Sequence, residues 1–94
     1  MIVWSDTAKA HLLHLDEYLS ERNPDAAEMQ VYRIYSTIGT LEDLPLIGKP
    51  GRIAGTRELV VPATPYVVAY RIEDEVIQIL AIMHGAQRWP KSFS

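Results

Sequence analysis

The chain has 94 residues, twelve acidic against nine basic side chains, a net charge of −3, and no cysteine. This length supports one domain with a modest core, and the cysteine count excludes disulfides and thiolate metal sites. The charge is unevenly spread. Residues 1–48 carry three basic and eight acidic side chains (net −5), and residues 49–94 carry six basic and four acidic ones (net +2). A weak basic patch on an acidic protein counts against DNA or RNA as the main partner. No apolar run is long enough to span a membrane, and the first residues lack the pattern of a signal peptide, so a cytoplasmic location is expected.

Met1–Trp4 is a short run of β-favouring residues. Ser5 or Asp6 suits the N-cap of a first helix, in which Ala8, Leu12, Leu15 and Leu19 recur at helical spacing. Asn23-Pro24 ends that helix and starts the next, because Asn caps well and Pro is tolerated in a first turn. The second helix carries Ala27, Val31, Ile34, Ile38 and Leu41 and is expected to run to about Leu44, where Pro45 stops it. A tight break between two amphipathic helices predicts an antiparallel hairpin.

The Gly- and Pro-rich stretch 45–55 reads as a loop. Three strands follow, at 56–61, 66–72 and 75–84, with a tight turn at Glu73-Asp74. The last two strands are apolar on both faces: Tyr66, Val68, Tyr70 and Ile72 oppose Val67 and Ala69, and Ile77, Ile79 and Ala81 oppose Leu80 and Ile82. The predicted class is α+β, a β-α-α-β-β-β chain with the helical hairpin on one face of a small, mostly antiparallel sheet. Short connections put both helices on the same side, so the other face is expected to lack cover and to receive a partner. The opposing reading has the long loop and the chain end fold over it.

His84 precedes Gly85 at the end of the third of these strands. An imidazole can act as general acid or base near neutral pH, and Arg57, Arg71 and Arg88 could hold a phosphate by forked hydrogen bonds. A metal-free ribonuclease is one reading, and a structural histidine that caps a strand end is the other. His11 and His14 lie three apart on the first helix, but no third ligand has suitable spacing, so a solvated polar face is expected and no metal or cofactor is assigned. The Gly48–Gly55 loop lacks a P-loop ending and precedes a strand. Trp89 could stack on a base or anchor the tail, and Arg57 with Glu58 could be an exposed pair that forms salt bridges.

The chain resembles the RelE/ParE superfamily of bacterial type II toxins. The likeness is carried by Trp4 in the opening strand, the Asn23-Pro24 break, the loop running into Thr56-Arg57-Glu58-Leu59-Val60-Val61, Pro65-Tyr66, Tyr70, and His84-Gly85 with Trp89-Pro90. The resemblance implies a toxin that arrests growth, held in a hetero-oligomer with a ParD- or RelB-like antitoxin. The strand residues Tyr66, Val68, Tyr70, Leu80 and Ile82 are its expected contacts, and Arg57, Arg71, Arg88 and Trp89 those of the target.

One branch of the superfamily cuts mRNA on the ribosome, and the other poisons DNA gyrase. Ribonuclease members carry basic residues where this chain has Glu58, Val60 and Val67, and relatives that read His-Gly-Ala-Arg have arginine at the position of Gln87. The expectation is therefore inhibition of gyrase by protein binding. The alternative is a ribosome-dependent endoribonuclease using His84, Arg57 and Arg88, and an inactive binding module of the same fold is a third reading.

Overall fold

Ser5 ends the opening strand and starts the first helix. In the computed structural model, which describes residues 1–93, its Oγ accepts the Ala8 N–H at 3.0 Å and donates to the Leu80 carbonyl at 3.1 Å. Its backbone N–H donates to the Ile79 carbonyl at 2.9 Å. One small polar residue thus caps helix α1 (Asp6–Arg22) and ties strand β1 (Ile2–Trp4) to the sheet. Asn23 does the corresponding work for helix α2 (Pro24–Gly39). Its Oδ1 accepts the Ala26 N–H at 3.1 Å, and Pro24 stands in the first turn. The two helices pack as the expected hairpin.

The α-helix stops at Gly39 rather than near Leu44. Thr40–Glu42 tighten into a 3-10 turn, the Thr40 hydroxyl donates to the Thr37 carbonyl at 2.6 Å, and Leu41 becomes fully buried. The remaining strands are β2 (Lys49–Pro50), β3 (Arg57–Val60), β4 (Tyr66–Glu73) and β5 (Val76–His84). The five strands form one sheet in the order β1-β5-β4-β3-β2, with β1 parallel to β5 and every other pair antiparallel. The α+β class and the mostly antiparallel sheet agree with the sequence reading. The two-residue β2 lies within the stretch whose composition predicts a loop; Pro50 is tolerated there because β2 is an edge strand. The β4–β5 turn falls one residue later than expected, on Asp74 and Glu75, both with positive φ (52° and 66°).

A bulge changes which face each residue of β5 occupies. Ala69 pairs with Ala81 but Tyr70 pairs with Ile79, so Leu80 has no partner of its own on β4. Strict alternation groups Ala81 with Ile77 and Ile79 and sets Ile82 against them. Instead Ile77, Ile79 and Ile82 pack with Val68 and Tyr70 beneath Ile34, Ile38 and Leu41, and Ala81 and Met83 turn to the opposite face with Ala69.

That opposite face is covered from within the chain. Trp89 and Phe93 of the C-terminal segment pack on Ala69, Ala81 and Met83, and the Arg52 guanidinium lies 3.6 Å from the centre of the Trp89 ring. The expectation of a bare sheet face is therefore corrected. Tyr66, Val68, Tyr70, Leu80 and Ile82 are all 9% exposed or less, so a partner reaches their side chains only if a cover moves.

Candidate functional site

An open apolar surface lies beside β1. That strand is the sheet edge, and among the described residues its outer side has no strand neighbour. Ile2, Val3 and Trp4 line a groove of about 880 Å³ with Leu12 and Leu13 of α1 and Val31 and Tyr35 of α2, with Lys9 and Asp16 also lining it. Val3 is 45% exposed, Leu13 56% and Tyr35 54%. Trp4 and Tyr35 rest against each other with ring centres 5.5 Å apart, which joins strand to helix across the groove. Ala8 and Leu15 of α1 are buried and Leu12 packs half-buried against the core, while Leu13 extends the apolar surface outside that stripe. The sequence signal for this groove is Leu13 and Tyr35, apolar residues that sit off the core stripes of their helices.

The side chains that could carry chemistry are distributed over three hollows. His84 lies in one of about 540 Å³ with His11, His14, Glu17, Tyr18, Glu21, Tyr66 and Gln87. Its Nδ1 accepts the Ala86 N–H at 3.1 Å, its own N–H donates to Gln87 Oε1 at 3.0 Å, and its ring meets Tyr66 edge-on at 5.7 Å. Gln87 thus closes the turn after β5. Burial, and then the nearby Tyr18, push the Tyr66 phenol up, which keeps it protonated at neutral pH. His11 is part-buried rather than solvated: its Nδ1 accepts the Ile82 N–H at 3.2 Å, capping the edge of β5 beyond β1. Burial, and then His14, hold His11 below the ordinary histidine range.

Arg88 and Trp89 line a neighbouring hollow that shares His11 and Gln87 with the first. Arg57 and Arg71 meet in a third, near the other end of β4. Arg57 Nη1 donates to the carbonyls of Gly48 at 2.7 Å and Leu46 at 3.4 Å. Arg71 Nε donates to Gln78 Oε1 at 2.7 Å and lies 3.6 Å from Glu73. His84 pairs with Tyr66 and Arg57 with Tyr70, so the two stand four residues apart along β4, roughly 13 Å. His84 and Arg88 line adjoining hollows, and Arg57 lines neither.

Glu58 is the buried charge of the tail-covered face, 3% exposed, and not the exposed pair with Arg57 that its position suggested. Its Oε2 accepts from the Arg52 backbone N–H at 2.7 Å and from Arg52 Nε at 3.1 Å, and Oε1 accepts from Nη2 at 3.1 Å. Burial alone would push this carboxyl up. The hydrogen bonds and charge of Arg52, with Lys49 beyond, outweigh that and hold it below the usual carboxylate range. On this face, then, one cation is already committed to a buried acid and capped by Trp89.

The family described as the ParE toxin of the type II toxin–antitoxin system parDE matches residues 2–89. A Sinorhizobium fredii protein bearing the toxin designation Y4kP is 41% identical over 90 residues, covering 96% of this chain and 93% of its own. Toxin RelE2 of Caulobacter vibrioides is 33% identical over 88 residues, covering 92% and 96%. Among solved structures, the chromosomal ParDE system of P. aeruginosa superposes with a TM-score of 0.80 at 24% identity, over 88% of this chain and 92% of that one. The RelBE2 toxin–antitoxin complex of Mycobacterium tuberculosis gives 0.58 at 28%, over 89% and 95%. The fold and the matched length place the chain in a class, the RelE/ParE toxins. Within it, the chain belongs to the ParE toxin family of type II toxin–antitoxin systems.

Proposed function

We propose that this chain is a growth-arresting toxin that works in the cytoplasm by binding a protein target, DNA gyrase, and is neutralised by a ParD- or RelB-like antitoxin seated in the groove beside β1. The observation that carries the reading is the contrast between that groove and the rest of the molecule. An open apolar trough next to an unpaired strand edge suits a partner segment that orders on binding as helix or added strand. The groups needed for RNA cleavage are, by comparison, dispersed. A metal-free cleavage needs fixed cations aimed at the phosphate, which usually supply the largest part of the rate. Arg57 lies roughly 13 Å along the strand from His84, and Arg52 is committed to Glu58.

One observation favours the ribonuclease alternative. His11, His14, His84, Glu17, Glu21 and Tyr66 line a single hollow, and together they offer general acid and base groups. No arginine or lysine is among the residues that line it; Arg88 lies in the hollow alongside. Expression of the chain and its variants tests the reading. The wild type and His84→Gln are expected to arrest growth alike, and Val3→Asp to arrest growth without being rescued by the antitoxin. Loss of arrest in a folded His84→Gln variant would move the function to RNA cleavage, and unimpaired growth with the folded wild type would leave only a binding module.

A further inference from the structure

At the edge of the sheet away from β1, strand β4 outruns β3. Arg57 pairs with Tyr70, and Arg71–Glu73 continue beyond the start of β3. The hollow of about 410 Å³ found there is lined by Leu46, Gly55, Arg57, Arg71 and Ile72 among others. Leu46 is 65% exposed, and the same turn exposes Leu44 (56%) and Ile47 (51%).

These aliphatic side chains are held in water by a pinned backbone. The Tyr70 hydroxyl donates to the Pro45 carbonyl at 2.8 Å and accepts the Gly48 N–H at 2.9 Å, while Arg57 holds the carbonyls of Leu46 and Gly48. Ile47 N–H donates to the Leu44 carbonyl at 3.1 Å. Gly48 has no room for a side chain, because a Cβ there would stand 2.5 Å from the Tyr70 hydroxyl. A preorganised loop that presents Leu46 beside two arginines, with Leu44 and Ile47 exposed on the same turn, has already met much of the ordering cost of association. Among the described residues Arg57 commits only Nη1 and Arg71 only Nε, which leaves Nε and Nη2 of Arg57 and both Nη groups of Arg71 for a ligand.

We infer that the Leu46–Arg57–Arg71 hollow is the surface by which the toxin grips its target, receiving an acidic protein segment with an apolar anchor. This rests on the protein-binding reading above. Charge favours it: the arginines match carboxylates, and the aliphatic rim has nothing to gain from a phosphate backbone on a chain of net charge −3. The strand order sets this hollow at the opposite side of the sheet from the β1 groove, so its occupant is not the segment proposed there.

The test uses Leu46→Asp and Arg71→Glu, both at exposed positions, with Arg71→Lys as the conservative variant. Supercoiling by purified gyrase, binding to the antitoxin and thermal melting are measured for each. We expect Leu46→Asp and Arg71→Glu to raise the half-inhibitory concentration at least about tenfold, with Arg71→Lys, which keeps the charge but loses the fork, falling between them and wild type, and with melting and antitoxin binding unchanged. Inhibition equal to wild type in both variants overturns the surface and leaves the protein-binding reading intact. If the wild type spares gyrase yet arrests growth, the gyrase reading fails by itself. The same variants are then scored for growth arrest: loss of arrest in both sustains the surface, and retained arrest overturns it. A duplex DNA or RNA fragment retarded by the wild type and released by Arg71→Glu would also overturn it, since the occupant would be nucleic acid.

Discussion

The two faces of the sheet are covered by different materials. Beneath the helices, Val68, Tyr70 and Ile79 meet Ile34, Ile38 and Leu41, all nearly or wholly excluded from water. On the other side the floor is Ala69, Ala81 and Met83, and the cover is Trp89 and Phe93 from the chain end, braced by Arg52 over Glu58. The first face buries large aliphatic surface and fixes the fold. The second is thin and depends on an ion pair whose cation is half exposed, which ties it to solution conditions.

The comparison breaks most sharply under truncation. Ile34→Ala empties a fully buried site and should cost about 2–5 kcal/mol in urea unfolding. Trp89→Ala removes a part-exposed ring and should cost about 1–2 kcal/mol, and equal losses would show that the tail is part of the main core. Tyr70→Phe keeps the ring but deletes the hydroxyl that joins Pro45 to Gly48; about 1–3 kcal/mol is expected, read by the same melts.

Acidification sharpens the contrast because both faces carry a group with a lowered pKa. His11 must be neutral to accept the Ile82 N–H, so its contribution is complete above the ordinary histidine value of 6.5 and is lost as pH falls through its own lower value. Glu58 contributes fully above 4.5 and loses its contribution as pH falls through its depressed value. Melting temperature should therefore drop first below about pH 6.5 and again below about pH 4.5. His11→Gln should flatten the first step, and Glu58→Gln the second. The smallest effect belongs to the β4–β5 turn, where Asp74 and Glu75 both adopt positive φ. Asp74→Asn with Glu75→Gly should raise stability by about 1 kcal/mol in a thermal melt.

Local chemistry made much of this fold readable. Asn23-Pro24 announced the hairpin, Ser5 the first cap, and the β-branched and aromatic runs the last three strands. The errors lie where one residue or a distant segment decides. The bulge at Leu80 reverses the phase of half of β5, and no alternation rule reveals it. The tail cover and the His11 cap are made by residues far apart in sequence, so spacing carries no trace of them. Of the expected site residues, Arg57 and Arg71 do meet in one hollow, His84 and Arg88 occupy adjoining ones, and Trp89 anchors the tail. Spacing along one element does not reveal the β1 groove, because its lining of Val3, Trp4, Leu12, Leu13, Val31 and Tyr35 draws on a strand and two helices at once.

The most direct test of the central claim is a supercoiling reaction with purified gyrase, relaxed plasmid and this protein freed of antitoxin. Inhibition or trapped double-strand breaks, undiminished in His84→Gln and abolished by antitoxin, is the predicted result. Unaffected supercoiling by protein that still arrests growth, with ribosome-dependent mRNA cleavage lost in His84→Gln, would contradict it.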